Sequence, residues 1–333
     1  MTSRWAGAGH ESKLGRVRTD GPGRLAMPMV LALPLVFGAQ VAEAQAQAFK
    51  APVSNAKVSE AKAAPGQSAW KTGHAHASRL ISGEVPTETG IATYAGVEIR
   101  LDKGWKTYWH NPGDAGGIPP HFDFSQSTNV ALVEVRYPTP QRIVDETGTT
   151  FGYKESVTFP VRVVPSDPTR PVQLKLTLNF GVCEQICIPA FADHSVTIAP
   201  GISRVTPIAL TRAIQDVPVG ATAAADAAPT VLADAVTWSV DGRSLIVPVQ
   251  AARGATSSGD ARDIDLFPKT PPKIFLGVPK RLAGQGAGIA AVFEIPILTD
   301  AGAKTLAGTQ IELTVVSPRG ARVQRVEVPA ARS

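Results

Sequence analysis

Hydrophobic and polar positions alternate most strictly between residues 172 and 180. The apolar positions are Val172, Leu174, Leu176, Leu178 and Phe180, and polar residues stand between them. A period of two predicts a strand with one buried face and one solvent-facing side. Gly181 interrupts the alternation, and the chain's two cysteines follow at Cys183 and Cys187.

Shorter alternating runs surround this strand, at residues 97–101, 133–137, 157–161 and 196–198. Glycine and proline cluster between the runs, and no helical period appears. Short strands separated by turn signals are typical of an antiparallel sandwich. We therefore predict an all-β domain over residues 78–200, in which Pro160 favours an edge position for its own strand.

A second β region is predicted over residues 231–330, after a linker at 201–230 that includes an alanine-rich stretch and one short helical turn near 211–217. Asp241-Gly242 is a hairpin signal. Further strand candidates lie at 245–249, 264–267, 274–276, 292–297, 311–315 and 323–328. The region has no cysteine, and we predict a second, smaller sandwich with a structural or docking role.

The N-terminus has the pattern of an export signal. Basic residues precede an apolar run at 25–41, and small-x-small cleavage motifs follow near residue 44. We predict a signal peptide at 1–46 and a periplasmic location; an uncleaved anchor is the alternative. Residues 47–77 are predicted to be a linker, in which His74 and His76 are expected to be solvated.

Charge excludes one class of partner. The whole chain carries a net charge of +5, and removal of residues 1–46 leaves 28 basic and 25 acidic residues. This balance gives no support for a nucleic-acid partner.

The cysteine pair is the main candidate for chemistry. Residues four apart in one continuous strand would be ~13 Å apart, whereas a disulfide requires Cα atoms about 4.4–6.8 Å apart. A bridge between Cys183 and Cys187 therefore requires a turn. So small a ring stabilises by only ~2 kcal/mol, which favours a redox role, although a structural disulfide in an exported domain stays open.

A metal site is the third interpretation. Two thiolates supply half of a tetrahedral site, and His194 lies seven residues beyond Cys187. A lone histidine near a strand is more often packed or solvated. The methionines, Met1, Met27 and Met29, all lie in the predicted leader, which argues against copper. We predict no metal and no cofactor.

Two aromatic segments are candidates for the surroundings of the cysteines. Trp105, Tyr108 and Trp109 enter a loop rich in glycine and proline, where they either cap the sandwich core or line a docking surface. Phe151 and Tyr153 end a polar loop that begins at residue 145.

Four ordered blocks resemble the N-terminal periplasmic domain of the thiol–disulfide interchange protein DsbD and of its relative ScsB. They are Gly104-Trp-Lys-Thr-Tyr-Trp109, Asn111-Pro-Gly-Asp114 through Pro119-Pro120, Phe151-Gly-Tyr153 before Phe159-Pro-Val161, and Val182-Cys-Glu-Gln-Ile-Cys-Ile-Pro189. The likeness covers residues 79–200 and is weaker over 231–330.

The resemblance implies an immunoglobulin-like fold and a cysteine pair that exchanges electrons with thioredoxin-fold partners. It implies that Cys187 attacks and Cys183 resolves, that Phe151 and Tyr153 shelter the sulfurs, and that carboxylates, here Asp145 and Glu146, tune the thiols.

Full-length relatives carry a membrane domain and a thioredoxin domain that this chain does not show, so the expected donor is a separate membrane thiol carrier. The expected context is cytochrome c-type biogenesis or copper tolerance. The alternative function is a non-catalytic interaction or copper-tolerance protein with a structural disulfide.

Overall fold

A computed structural model describes residues 64–87, 90–200, 206–223, 228–254, 263–269, 274–283, 288–299 and 306–330. All of them lie in one compact unit, Ser59–Ser333. The predicted leader and most of the first predicted linker fall outside the described residues. Within those residues, no helix is long and apolar enough to span a bilayer.

Two antiparallel sheets form the first β region. The first sheet has the order β1-β2-β3-β9-β6, and its strands are β1 (Lys71–Gly73), β2 (His76–Thr87), β3 (Gly90–Leu101), β6 (Val130–Val135) and β9 (Ser156–Pro165). The second has the order β11-β10-β4-β8-β7 with β5 beside β10, and its strands are β4 (Lys106–Gly113), β5 (His121–Asp123), β7 (Gln141–Asp145), β8 (Gly148–Lys154), β10 (Val172–Cys183) and β11 (Cys187–Ile198).

The inner faces of these two sheets share one core, as the alternation in β10 predicts. The apolar residues of β10 from Val172 to Phe180 are all buried and face apolar residues of β2, β3 and β9. Burial of such faces is the main stabilising term of a sandwich. The prediction of an all-β, immunoglobulin-like sandwich is confirmed.

Two further sheets form the second β region. One contains β12 (Thr230–Val231), β13 (Thr237–Trp238), β14 (Ser244–Gln250), β16 (Lys280–Leu282) and β17 (Ala291–Pro296). The other contains β15 (Asp265–Lys269), β18 (Gln310–Ser317) and β19 (Gly320–Glu327). Their apolar faces form a second core. The Asp241-Gly242 signal is confirmed, because Trp238 pairs with Leu245 across this turn.

The two cores meet at β15. Phe267 belongs to the second β region, yet its ring packs against Trp109 and Phe151 of the first core. Beside it, Arg142 of β7 makes a two-pronged ion pair with Asp265, with contacts of 2.6 and 2.8 Å. An aromatic contact and a paired guanidinium therefore fix β15 against β4, β7 and β8.

The segment between the two β regions contains a helix, α1 (Ile208–Gln215), which overlaps the short helical turn that the sequence predicts. Leu210 of α1 packs against Ile81 and Tyr94 on the outer face of the first sheet. The domain and linker boundaries drawn from the sequence stay predictions.

Pro160 does not lie on an edge strand, because β9 runs between β3 and β6. Its carbonyl accepts a hydrogen bond from Arg136 N, one residue beyond the end of β6. The nitrogen and carbonyl of one residue point to the same neighbouring strand in an antiparallel ladder. The missing N–H of Pro160 therefore faces the end of β6, where pairing stops.

The expectation of solvated linker histidines is wrong for His76. It is buried at the start of β2, with its ring edge-on to Phe180 and its Nδ1 bonded to the His74 carbonyl. The first sheet begins earlier than the alternation indicates, so the end of the predicted linker belongs to it.

Candidate functional site

A β-hairpin brings the two cysteines together. Strands β10 and β11 pair in continuous register from Val172 opposite Ile198 to Cys183 opposite Cys187. The three residues 184–186 form the turn. Directly opposed residues have Cα atoms about 4.5–5.5 Å apart, which lies within the range that a disulfide requires. The turn that a bridge between these cysteines would need is present.

The sulfurs lie at the rim of the sandwich and differ in exposure. Cys183 is 2% exposed, whereas Cys187 is exposed. Both are free thiols, and their Sγ atoms are 2.6 Å apart. One sulfur is therefore accessible to another protein, and the second lies directly behind it.

The alternation of side chains along β10 places Cys183 on the outer face of its sheet. The even-numbered residues of β10 are the ones that enter the core. Cys183 therefore shares the other face with Gly181, and with Lys106, which stands directly opposite it on β4. Side chains on one face alternate with those on the other, so Tyr108 also lies on the outer face, beside Gly181.

Tyr108 is the aromatic residue that contacts the thiols. Its hydroxyl lies 2.8 Å from Cys187 Sγ. Burial, followed by the hydrogen bonds to both cysteines, raises the pKa of Tyr108 well above its usual range. The phenol therefore stays protonated and can donate a hydrogen bond to a sulfur that becomes negative.

A glycine loop, residues 114–120, covers Tyr108. The Ile118 carbonyl accepts a hydrogen bond of 2.9 Å from Gly181 N, which fixes the loop to β10. A Cβ at Gly117 would overlap the Tyr108 ring, and the φ of Gly117, +141°, also disfavours a side chain. The loop can approach the ring closely because this position is glycine.

Lys106 and Asp145 form a charged pair beside the thiols. Lys106 Nζ lies 2.5 Å from Asp145 Oδ2. The hydrogen bonds from Lys106 and then Thr147 lower the pKa of Asp145 to about 2. Burial and then the hydrogen bond to Cys187 raise the pKa of the Cys183 thiol, whereas the hydrogen bond to Tyr108 and, less strongly, the charge of Lys106 lower it. Asp145 thus contacts Lys106, which stands opposite Cys183. Glu146 is exposed in the turn after β7.

The two aromatic residues that the resemblance assigns to shelter the cysteines lie elsewhere. Phe151 packs on Phe267 in the core, and Tyr153 is buried against Phe159 and donates its hydroxyl proton to the Pro138 carbonyl. Both lie on the inward face of β8, with β4 between β8 and β10. Tyr108, on the outward face of β4, occupies the position against the sulfurs instead.

The predicted docking surface is also not formed by the side chains expected to line it. Trp109 is buried in the core, and Tyr108 is 1% exposed beneath the glycine loop. Trp105 is partly buried, with its ring edge-on to that of His74. Successive residues of β4 enter opposite layers, so Tyr108 and Trp109 cannot line one surface.

His194 does not join the cysteines. It is opposite Leu176, well back along the hairpin from Cys187, and is buried with its two ring nitrogens bonded to Ser68 Oγ and Ser78 Oγ. Burial lowers the pKa of His194 to about 4. Across the described parts of the chain, no group of three or more histidine, cysteine or acidic residues is arranged to hold a metal ion.

Replacing Gly117 with alanine should disturb the site, and Gly116→Ala offers a matched control. Gly116 has a φ of +71°, and a Cβ added there would meet no atom within 4 Å. Its alanine variant should therefore lose only about 1 kcal/mol of stability through backbone strain. Gly117→Ala adds a clash with Tyr108 and should lose about 1–3 kcal/mol more.

Urea unfolding and the rate of Cys187 alkylation measure the two effects of these variants. Alkylation should change in Gly117→Ala and stay near the parent rate in Gly116→Ala. Equal losses of stability in the two variants, with unchanged alkylation in both, would show that the loop does not position Tyr108.

Comparison with known proteins gives one family and one related fold. Residues 84–198 match the family model of the thiol:disulfide interchange protein DsbD, N-terminal. The crystal structure of the N-terminal periplasmic domain of ScsB from Proteus mirabilis aligns with a TM-score of 0.59 at 19% identity, covering 80% of this chain and 100% of that one. Coverage this large includes the second β region.

A second solved structure gives a weaker match. The reduced N-terminal domain of DsbD from Neisseria meningitidis aligns over 36% of this chain and 90% of its own, at 12% identity and a TM-score of 0.23, too low to carry a structural argument. No curated protein matches the sequence.

Proposed function

We propose, from the premise that residues 84–198 form a DsbD/ScsB-type N-terminal domain, that this chain passes electrons through Cys183 and Cys187. The proposed partners are proteins of the thioredoxin fold, and the proposed compartment is the periplasm. The proposed electron donor is a separate membrane thiol carrier.

The position of the cysteine pair is the observation that carries this proposal. The thiols are register partners at the end of a ladder, and one sulfur is exposed while the other is buried behind it. A bridge can therefore form and open at a rim that a partner protein can reach. A purely structural disulfide has no need of an exposed sulfur, and a ring this small contributes little stability.

The proposed reaction has two exchange steps. The Cys187 thiolate attacks one sulfur of the partner disulfide, which forms a mixed disulfide and releases the other partner sulfur as a thiolate. The Cys183 thiolate then attacks Cys187 Sγ, which forms the Cys183–Cys187 disulfide and releases the second partner sulfur. Both partner thiolates take up protons, so two electrons pass to the partner.

Their different exposure gives the two cysteines different places in these steps. Cys187 is assigned the attack because it is the exposed sulfur, and Tyr108 lies within hydrogen-bond distance of it. Cys183 is assigned the resolving step because it is buried behind Cys187. A dithiol donor returns the pair to the reduced form by the same steps in reverse.

Redox titration tests this function. The chain has two cysteines, so thiol alkylation followed by mass measurement reports the pair without interference. We expect a reduction potential above about −300 mV, in the range of exchanging pairs, and electron transfer to an oxidised thioredoxin-fold protein. A potential well below about −300 mV, with no transfer, would instead support the alternative of a structural disulfide.

A further inference from the structure

Lys106 is a buried lysine directly opposite the resolving cysteine. The Cα atoms of Lys106 and Cys183 are register partners between β4 and β10, so the two side chains share one face of the sheet. The Lys106 side chain is 3% exposed, and its Nζ is held by Asp145 Oδ2. The geometry thus fixes an ammonium group in the layer that contains the buried sulfur.

Burial of this ammonium needs an explanation. Removing a charged amine from water costs several kcal/mol, and a single ion pair offsets this cost only in part. The Asp145 side chain is 35% exposed, so it keeps part of its interaction with water. An exposed lysine would join β4 to β7 equally well, so the connection between strands does not account for a buried charge beside a thiol.

Several titratable groups face Cys183 from the elements around it. Tyr108 and Lys106 come from β4, and Cys187 comes from β11. Glu184 follows Cys183 in the turn, with its carboxylate against Gly104. Of these groups, Lys106 is the cation opposite Cys183, and Asp145 is its counter-ion.

We propose that Lys106 is a positioning residue that stabilises Cys183 as a thiolate in the step that releases the partner. This inference rests on the proposed exchange function and adds a residue to it. The Cys183 thiol loses its proton to solvent, and the resulting anion shares one face of the sheet with a fixed ammonium group. It then attacks Cys187 Sγ, the bond between Cys187 and the partner breaks, and the partner sulfur leaves as a thiolate.

The Asp145 carboxylate weakens the effect of Lys106 on Cys183. Its carboxylate is held by Lys106 on one oxygen and by Thr147 on the other, so it partly neutralises the ammonium. Removal of the carboxylate should leave Cys183 facing an uncompensated positive charge. Lys106 and Asp145 therefore act on the sulfur with opposite sign.

The pH titration of Cys183 alone tests the inference, in full-length protein carrying Cys187→Ser. Thiolate absorbance and alkylation rate are followed together. Lys106→Met should move the midpoint upward by up to about one pH unit, with a loss of up to about tenfold in alkylation rate near neutrality. Lys106→Arg should stay near the parent. Lys175→Met replaces an exposed lysine on the same strand and face as Cys183, and it should leave the midpoint unchanged.

A double variant separates a direct effect of Lys106 from an effect through Asp145. Asp145→Asn alone should lower the midpoint. If the ammonium acts directly on the sulfur, Lys106→Met together with Asp145→Asn should titrate above Asp145→Asn alone. The inference is overturned if the double variant has the same titration midpoint as Asp145→Asn. It is also overturned if Lys106→Met has the same midpoint as the parent.

The proposed function and this inference fail in different ways. In the chain with both cysteines, Lys106→Met should lengthen the lifetime of the mixed disulfide with a thioredoxin-fold protein by up to about tenfold. An unchanged titration in a chain that still exchanges removes the role of Lys106 and leaves the function intact. If Lys106→Met shifts the titration but the chain exchanges with no thioredoxin-fold protein, the proposed function is wrong, and the release step is wrong with it.

Discussion

A Cys183→Ser variant should accumulate a stable mixed disulfide between Cys187 and a thioredoxin-fold protein. The exposed Cys187 remains able to attack, but the sulfur that would attack it in turn is absent. The intermediate is then released only by an external thiol. The wild-type chain should show almost none of this species, so the change is from undetectable to the main product. Non-reducing electrophoresis with mass identification of the linked cysteine measures it.

Cys187→Ser is the matched control for this experiment. It also leaves one thiol, but that thiol is Cys183, which is 2% exposed. We expect no mixed disulfide, because a buried sulfur cannot reach the disulfide of another folded protein. Accumulation in Cys187→Ser instead would exchange the roles of the two cysteines. If neither single variant forms a mixed disulfide, the exchange function is wrong.

Phe267→Ala should strongly destabilise the chain. Phe267 is 1% exposed, and its ring centroid lies 5.0 Å from that of Phe151 and 6.1 Å from that of Trp109. Removal of a buried phenylalanine ring typically costs about 3–5 kcal/mol. Arg142 also lies over this ring, so the ion pair with Asp265 loses a packing surface. Urea unfolding of the full chain measures the loss.

Phe275→Ala is its control, because Phe275 is 64% exposed in the same β region. An exposed substitution of this kind should change the free energy of unfolding by no more than about 0.5 kcal/mol. Equal stabilities of the two variants would mean that the contact at β15 does not stabilise the molecule. Loss of a single unfolding transition in Phe267→Ala, with two separate ones appearing, would show that this ring joins the two cores.

The β-sandwich can be predicted from the sequence because the alternation of apolar and polar residues is a local signal. The period of two over residues 172–180 predicts which face of β10 is buried, and the structure buries that face. The same period contains a further signal, since Cys183 falls on the polar register of β10. Continued alternation beyond Gly181 predicts that the cysteines lie outside the core and not within it.

The groups around the sulfurs are not local, and for that reason they are harder to predict. Tyr108 meets Cys187 across 79 positions of sequence, and Lys106 meets Cys183 only because β4 pairs with β10. A lysine at the start of a glycine- and proline-rich loop normally indicates a solvated side chain. Its burial results from pairing between strands that are distant in sequence, which no spacing motif records.

Phe151 and Tyr153 match a block of the family resemblance but do not lie at the thiols. Both are aromatic and flank a glycine in one of the blocks that resemble the family, but both fall on the inward positions of β8. Gly152 between them faces outward, opposite Tyr108. The aromatic ring at the thiols therefore comes from a different strand.

The hairpin has a consequence for the fate of electrons in transit. Because β10 and β11 pair up to the cysteines themselves, ring closure requires little movement of the backbone. Groups held in this way react with a high effective molarity, on the order of 10⁵ M or more in favourable cases. Cys183 would then attack the mixed disulfide much faster than a small thiol in solution. Few electrons would therefore be lost to side reactions with such thiols.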